Sequence, residues 1–318
     1  MNQMVDGRWT PEPFAPRVVD GAFVRPESAF RDWITADGSS GFPAASGRYH
    51  LYVSCACPWA HRTLIVRALK GLEAHASVSV VHPHMGERGW SFATDFPGCT
   101  GDAVAGHAYL YQTYAVADPH FSGIITVPVL WDRERATIVN NESAEIIRMF
   151  NGAFDGVGAS GPDLYPEDRR AAIDRINDFV YGNVNNGVYR TGFATTQQSY
   201  ERAVGRLFDA LDTLERRLGE QRYLVGDAPT EADWRLFTTL VRFDTVYVTH
   251  FKCNRRRLVD YPNLWAYTRA LYQWPGIAAT VDFAHIKHHY FTSHPSLNPH
   301  GIVPVGPELD FTAPHGRG

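Results

Sequence analysis

Pro58 fixes the place where one kind of structure gives way to another. A proline has no backbone N–H, so it suits the first position of a helix, where that N–H would have had no partner. Ahead of it, Tyr49-His50-Leu51-Tyr52-Val53 is β-branched and aromatic and reads as a strand. Behind it, Ala60, Leu64, Ile65 and Ala68 give a helical stripe over residues 59–70, with a stop at Gly71. The chain is therefore committed to a strand–turn–helix unit with Cys57 on the turn.

The rest of the pattern extends this unit. Ser77-Val78-Ser79-Val80-Val81 reads as a second strand, and residues 82–123 as a long elaborated loop. Residues 127–132 and 137–139 read as a hairpin, and Asn141-Glu142-Ser143 opens a helix through Phe150. The order is β-α-β, long connection, β-β-α. From Pro166 onward the pattern is helical, over 169–184, 199–218, 234–243 and 264–273. The third of these stands behind a capping box at Thr230-Glu231-Ala232-Asp233. The expected class is α/β plus all-α, with an irregular N-terminal extension at 1–47, a mixed domain at 48–155, a helical domain at 156–292 and a tail at 293–318. Within the extension, Ala22-Phe23-Val24 and Phe30-Arg31-Asp32-Trp33-Ile34 are apolar enough to lie against the body.

A length of 318 residues with 44% apolar content supplies core for two domains. A net charge of −4 with no concentrated basic surface offers no electrostatic grip on nucleic acid. The start shows no basic segment followed by an apolar run, and no stretch is long enough to span a bilayer. Four scattered cysteines are too few for a disulfide framework, so a reducing cytoplasm is the expected compartment.

Among those cysteines, Cys57 carries the chemistry. As N-cap of the helix that begins at Pro58, it is expected to turn its sulfur toward the free N–H groups of Trp59 and Ala60. Those donors and the helix dipole favour the thiolate, the nucleophilic form. A dithiol redox enzyme of this kind carries a second cysteine three positions on, and here that position is Ala60. A mixed disulfide on Cys57 must then be resolved by an outside thiol, and glutathione is the abundant one. Cys55, Cys99 and Cys253 read as structural.

With Cys57-Pro58-Trp59-Ala60-His61-Arg62 in this setting, the chain resembles a glutathione transferase, more closely the glutathionyl-hydroquinone reductases, or Xi class, which are omega-like. Gly89-Trp90-Ser91-Phe92, Thr126-Val127-Pro128-Val129-Leu130-Trp131-Asp132, Asn140-Asn141-Glu142-Ser143, Asn185-Asn186-Gly187-Val188-Tyr189-Arg190 and Ile286-Lys287-His288-His289-Tyr290 carry the likeness in order, over residues 30–306. It implies a thioredoxin-like domain followed by an all-helical domain, and a homodimer. It also implies that glutathione is held by Trp90, Thr126, Val127, Glu142 and Ser143, with Pro128 cis. Glu142 and Ser143 also fit a plain helix cap, and Trp90 a loop anchor. Tyr189, Tyr247 and Tyr290 are the implied phenols facing the nucleophile, where they can donate to the thiolate and move protons.

The implied reaction converts a glutathionyl-hydroquinone to the hydroquinone through a Cys57–glutathione disulfide, releasing oxidised glutathione. An omega-like thiol transferase acting on mixed disulfides or dehydroascorbate is the neighbouring reading. No metal, flavin or nicotinamide is called for. His82-Pro83-His84 and His285…His288-His289 lack the helix-spaced pair and carboxylate of a zinc hydrolase, and no Gly-rich phosphate cradle follows a strand.

Overall fold

The computed structural model describes residues 3–11 and 16–317. Positions 1–2 and 12–15 of the N-terminal extension, and the last residue of the tail, lie outside the described residues. The chain divides into two compact units. The first comprises residues 3–11, Glu27–Pro162 and Thr280–Val303; the second comprises Pro16–Pro26, Asp163–Ala279 and the segment from Pro304 onward.

The N-terminal extension is more regular than its composition suggests. Strands β1 (Gln3–Val5) and β2 (Arg8–Thr10) form one antiparallel hairpin, and β3 (Val18–Val19) and β4 (Ala22–Phe23) another. Each turns on an Asp-Gly pair, Asp6-Gly7 and Asp20-Gly21, with positive φ at both residues. That is the backbone a two-residue hairpin loop requires, and Asp-Gly is its sequence signal.

In the first unit, β5 (Tyr49–Val53), α1 (Pro58–Leu69) and β6 (Ala76–Val80) make the β-α-β element, with β5 and β6 parallel. The stretch at 82–123 is not all loop. It holds α2 (Leu110–Ala117), where Gln112 Oε1 accepts from the Tyr109 N–H at 2.9 Å, and β7 (Gly123–Ile124), which pairs with β1. The hairpin of β8 (Val129–Asp132) and β9 (Thr137–Asn140) and the helix α3 (Ser143–Gly152) complete the unit, giving a sheet in the order β6-β5-β8-β9. Every residue of β5 and β8 is buried, as expected for central strands covered on both faces. This is the thioredoxin-like arrangement. Residues from Glu27 lie along it: Asn141 N–H donates to Phe30 O and Phe30 N–H to Asn141 Oδ1, both at 3.1 Å, and Asp32 N–H donates to Val139 O at 3.0 Å.

The second unit is helical. Helix α4 (Arg170–Val180) passes through a π-helical turn, Tyr181–Asn185, into α5 (Asn186–Gly192), so the single helix expected over 169–184 is interrupted. Helix α6 (Gln197–Glu220) buries Val204, Leu207, Leu211, Leu214 and Leu218 on one face, each worth about 1.5–3 kcal/mol when fully covered. Helix α7 (Glu231–Arg242) is buried throughout behind the Thr230–Asp233 capping box, and a second π-helical turn, Phe243–Tyr247, leads into α8 (Val248–His250). Helix α9 (Pro262–Tyr272) follows. The β3–β4 hairpin sits against this unit, where Gly21 O accepts from Thr195 N–H at 3.1 Å.

Helix α10 (Phe283–Thr292) follows the helical segment in sequence but packs with the first unit. His285 Nε2–H donates to Pro97 O at 2.6 Å, His289 Nδ1–H donates to Pro83 O at 2.8 Å, and Met85 N–H donates to Ser293 Oγ at 2.9 Å. Reading along the chain groups 280–292 with the preceding helices; these hydrogen bonds group them with the long connection after β6. Among the described residues no helix is long and apolar enough to cross a membrane.

Candidate active site

Cys57 lies where β5 hands over to α1. A tight turn, with Cys57 N–H donating to Ser54 O at 3.1 Å, brings the chain to the N-cap, where Cys57 is extended at φ −76° and ψ 123°. His61 N–H donates to Cys57 O at 2.9 Å and opens the helix. The side chain is half-buried. One expectation is corrected here: Cys57 Sγ makes no capping hydrogen bond to the helix. The thiol donates instead to Val127 O at 3.6 Å, because a neutral S–H is a donor and only a weak acceptor. Ala60, at the place a second cysteine would occupy, is fully buried.

The Val127-Pro128 peptide is cis, and its loop is fixed from behind. Tyr114, on α2, donates its hydroxyl to Thr126 O at 3.0 Å and accepts from Asn141 Nδ2 at 3.2 Å. Burial pushes the Tyr114 phenol above its ordinary range, so it stays a neutral donor. Tyr114 lies in the long connection after β6, where the sequence predicts a loop. The signal for it was a helical spacing, with Leu110, Thr113 and Tyr114 buried on one face.

Glu142 is the N-cap of α3. Its Oε1 accepts from Ala144 N–H at 3.0 Å and its Oε2 from Ser28 Oγ at 3.0 Å. The cap is therefore real, yet a carboxylate has about four lone-pair sites, and this half-buried one has capacity for a further donor. Ser143, the first residue of α3, is buried, with Oγ 3.4 Å from Arg62 Nη1. Arg62 is itself buried beneath Trp59, its guanidinium 4.5 Å from the indole. A guanidinium and the positive end of a helix converge on Ser143, which suits a carboxylate ligand. Trp90 is also mostly covered, stacked on His289 at 4.9 Å and 25°. Tyr290 is buried on α10 beside His289 and His294.

Cys57, Trp90, Thr126, Val127, Glu142, Ser143 and Tyr290 thus belong to the first unit, with Cys57, Val127 and Thr126 joined through one loop. Tyr189 and Tyr247 belong to the second, where their rings stand 6.2 Å apart at 61°. Tyr247 ends one π-helical turn and is fully buried against Phe251; Tyr189 follows the other and is half-buried. π-helical turns inside α-helices recur at functional sites, and nothing in the hydrophobic period announced these two. Asn185 anchors the second of these segments, donating from Nδ2 to Thr239 Oγ1 at 2.8 Å and Arg235 O at 3.1 Å.

Among the described residues no group of three or more His, Cys, Asp or Glu side chains is placed to hold a metal ion. The histidines around Phe96 instead pack ring against ring, His82 and His288 at 5.9 Å. Burial and mutual repulsion hold His84 and His288 below the usual histidine range.

Comparison with known proteins gives a consistent picture. Residues 56–153 match the glutathione S-transferase N-terminal domain, and residues 197–270 the glutathione S-transferase C-terminal domain. The chain is 56% identical to the glutathionyl-hydroquinone reductase YqjG of Escherichia coli, over 100% of this chain and 98% of that one. It is 53% identical to the glutathionyl-hydroquinone reductase PcpF of Sphingobium chlorophenolicum, over 96% of each. The glutathione-bound structure of YqjG superposes with a TM-score of 0.92 at 55% identity, covering 99% of this chain and 98% of that one.

Proposed function

The chain belongs to the glutathione transferase family and, within it, to the glutathionyl-hydroquinone reductases, and we propose that its reaction runs through Cys57. The observation that carries this role is a half-buried thiol at a helix N-cap, with a buried alanine where a resolving cysteine would stand.

Glutathione is the co-substrate, which the glutathione-bound relative supports. Its γ-glutamyl carboxylate falls to Ser143 and the N-terminus of α3, its ammonium to Glu142, its cysteinyl backbone to Thr126 and Val127, and its glycyl end to Trp90. The Cys57 thiolate attacks the glutathione sulfur of the aryl thioether. A sulfur–sulfur bond forms, the sulfur–aryl bond breaks, and its electron pair goes to the ring carbon. Tyr189, with Tyr247 and Tyr290 as the accompanying phenols, delivers the proton that this carbon takes. A second glutathione thiolate then attacks the mixed disulfide, releasing oxidised glutathione and restoring Cys57. One glutathione thiol and the thioether sulfur are oxidised to a disulfide and the ring carbon is reduced, so the reaction balances with no further redox partner. Consumption of reduced glutathione supports a cytoplasmic setting, and the family resemblance supports a homodimer.

Mass spectrometry after one turnover without excess glutathione is expected to find glutathione on Cys57. An adduct elsewhere, or none, sinks the assignment. Faster turnover of a glutathionyl-hydroquinone than of a glutathione mixed disulfide separates this activity from that of an omega-like thiol transferase.

A further inference from the structure

The segment Pro16–Pro26 precedes the thioredoxin-like domain in sequence yet belongs to the helical unit, and it delivers one cation to a proposed proton donor. The Arg25 guanidinium lies 4.8 Å from the centre of the Tyr189 ring and 5.3 Å from that of Phe23. Its Nε–H donates to Asn186 Oδ1 at 2.7 Å, which sets the guanidinium's position. Asn186 and Tyr189 lie one turn apart on α5, so the bond and the ring contact address the same helix face. The hairpin holding Arg25 is secured by Thr195 N–H on Gly21 O and by Ser199 Oγ on Asp20 O at 3.3 Å. Phe23 packs 6.2 Å from Tyr189 and 5.6 Å from Phe193.

We propose that Arg25 is a positioning residue for the reductase reaction: it fixes the Tyr189 ring and stabilises the phenolate left when Tyr189 gives up its proton. The proposal rests on the reading of Tyr189 as proton donor. In the donating step the phenol O–H bond breaks, a C–H bond forms at the departing ring carbon, and the negative charge remains on the Tyr189 oxygen. A guanidinium against that ring lowers the energy of the charged state more than of the neutral one, because attraction to a full charge exceeds attraction to a ring quadrupole. An arginine serves better than a lysine, since its flat face stacks on the ring while one edge N–H remains for Asn186.

Other described residues near Tyr189 differ from Arg25 in kind or in partner. Phe23, Phe193 and Phe251 contribute uncharged rings, and Tyr247 a second phenol. Arg190, next in sequence, donates to Gly182 O at 2.8 Å. His250, beside Phe251, is pushed down to about 4 by burial and is neutral at pH 7. The Cys253 thiol, against Val188 O, is raised by burial and is also neutral.

Arg25→Gln and Arg25→Lys test this in the full-length protein. With a glutathionyl-hydroquinone, Arg25→Gln is expected to lower kcat about tenfold with KM within about twofold, and to move the alkaline limb of the kcat profile upward. With a glutathione mixed disulfide, which needs no carbon protonation, it changes turnover less than about twofold. Arg25→Lys recovers to within about threefold of the parent. Equal losses on both substrates, or an unmoved pH profile, overturn the proposal, since a purely structural role would affect both reactions alike. Tyr189→Phe separates the two layers. If Tyr189→Phe is fully active, the proton-donor reading fails and this inference with it. If Tyr189→Phe is impaired while Arg25→Gln is not, the proposal for Arg25 alone fails. In the double variant the Arg25 effect is expected to vanish.

Discussion

Cys57 and Cys253 each lie against a backbone carbonyl, as Cys99 does: Cys57 Sγ is 3.6 Å from Val127 O in the first unit, and Cys253 Sγ is 3.9 Å from Val188 O in the second. The local contact is alike and the surroundings are opposite. Cys57 occupies the N-cap position of a twelve-residue helix and is half-buried, a setting in which the dipole and water would both favour a thiolate. Cys253 is fully buried, and desolvation holds its thiol far above the ordinary range. Cys99 shows a milder form of the same effect, raised to about 11. The two thiols differ in access and in the helix terminus, while a neighbouring carbonyl is common to both.

The largest test of that contrast is activity. Cys57→Ser is expected to lower kcat/KM with a glutathionyl-hydroquinone by at least about 10³-fold, while Cys253→Ala stays within about twofold of the parent. A comparable loss in Cys253→Ala would end the comparison. Reactivity comes next. Iodoacetamide at neutral pH, followed by peptide mass spectrometry, is expected to label Cys57 about 100-fold faster than Cys253 in the folded protein. Equal labelling would place the two thiols in the same environment after all.

The smallest effect concerns the pocket around Cys253. His250, three residues earlier, is depressed to about 4 by the same burial. A depressed histidine is neutral in the fold and protonates in the unfolded chain. Its stabilising contribution is complete above the ordinary value of 6.5 and is lost as pH falls from there toward 4. The loss amounts to about 2 kcal/mol, read as a falling urea midpoint between about pH 7 and about pH 4.5. His250→Phe is expected to flatten part of that fall; an unchanged slope would mean the pocket is less dry than its burial implies.

Much of the contrast was legible in the residues. Pro58 located Cys57 at a helix start, and Ala60 showed that no second cysteine stands three positions on. The capping box at Thr230 and Asp233 marks the start of α7 in the sequence itself. Other features depend on distant partners and leave little local trace. Tyr114 braces the Val127-Pro128 loop from a helix that sits in a stretch crowded with polar residues. The π-helical turns before Tyr189 and at Tyr247 insert a residue into an otherwise regular period, and tertiary packing selects them. The sulfur of Cys57 was expected to face its helix; it makes no capping hydrogen bond there and its thiol meets Val127 O, a partner seventy residues away that local sequence does not announce. Asp6-Gly7 and Asp20-Gly21 were readable hairpin signals, masked by the polar composition around them.

The allegiance of α10 to the first unit has a consequence for how the protein is made. A ribosome that has finished residue 162 has synthesised the whole sheet but not the helix whose His285 and His289 meet the Pro97 and Pro83 carbonyls. The thioredoxin-like unit therefore completes only after the helical segment between has emerged. The helical unit, for its part, takes up a hairpin that precedes the whole sheet in sequence. Neither unit is contiguous in the chain: each is assembled from segments that the other's segments separate, so each needs chain made both before and after its partner's longest segment.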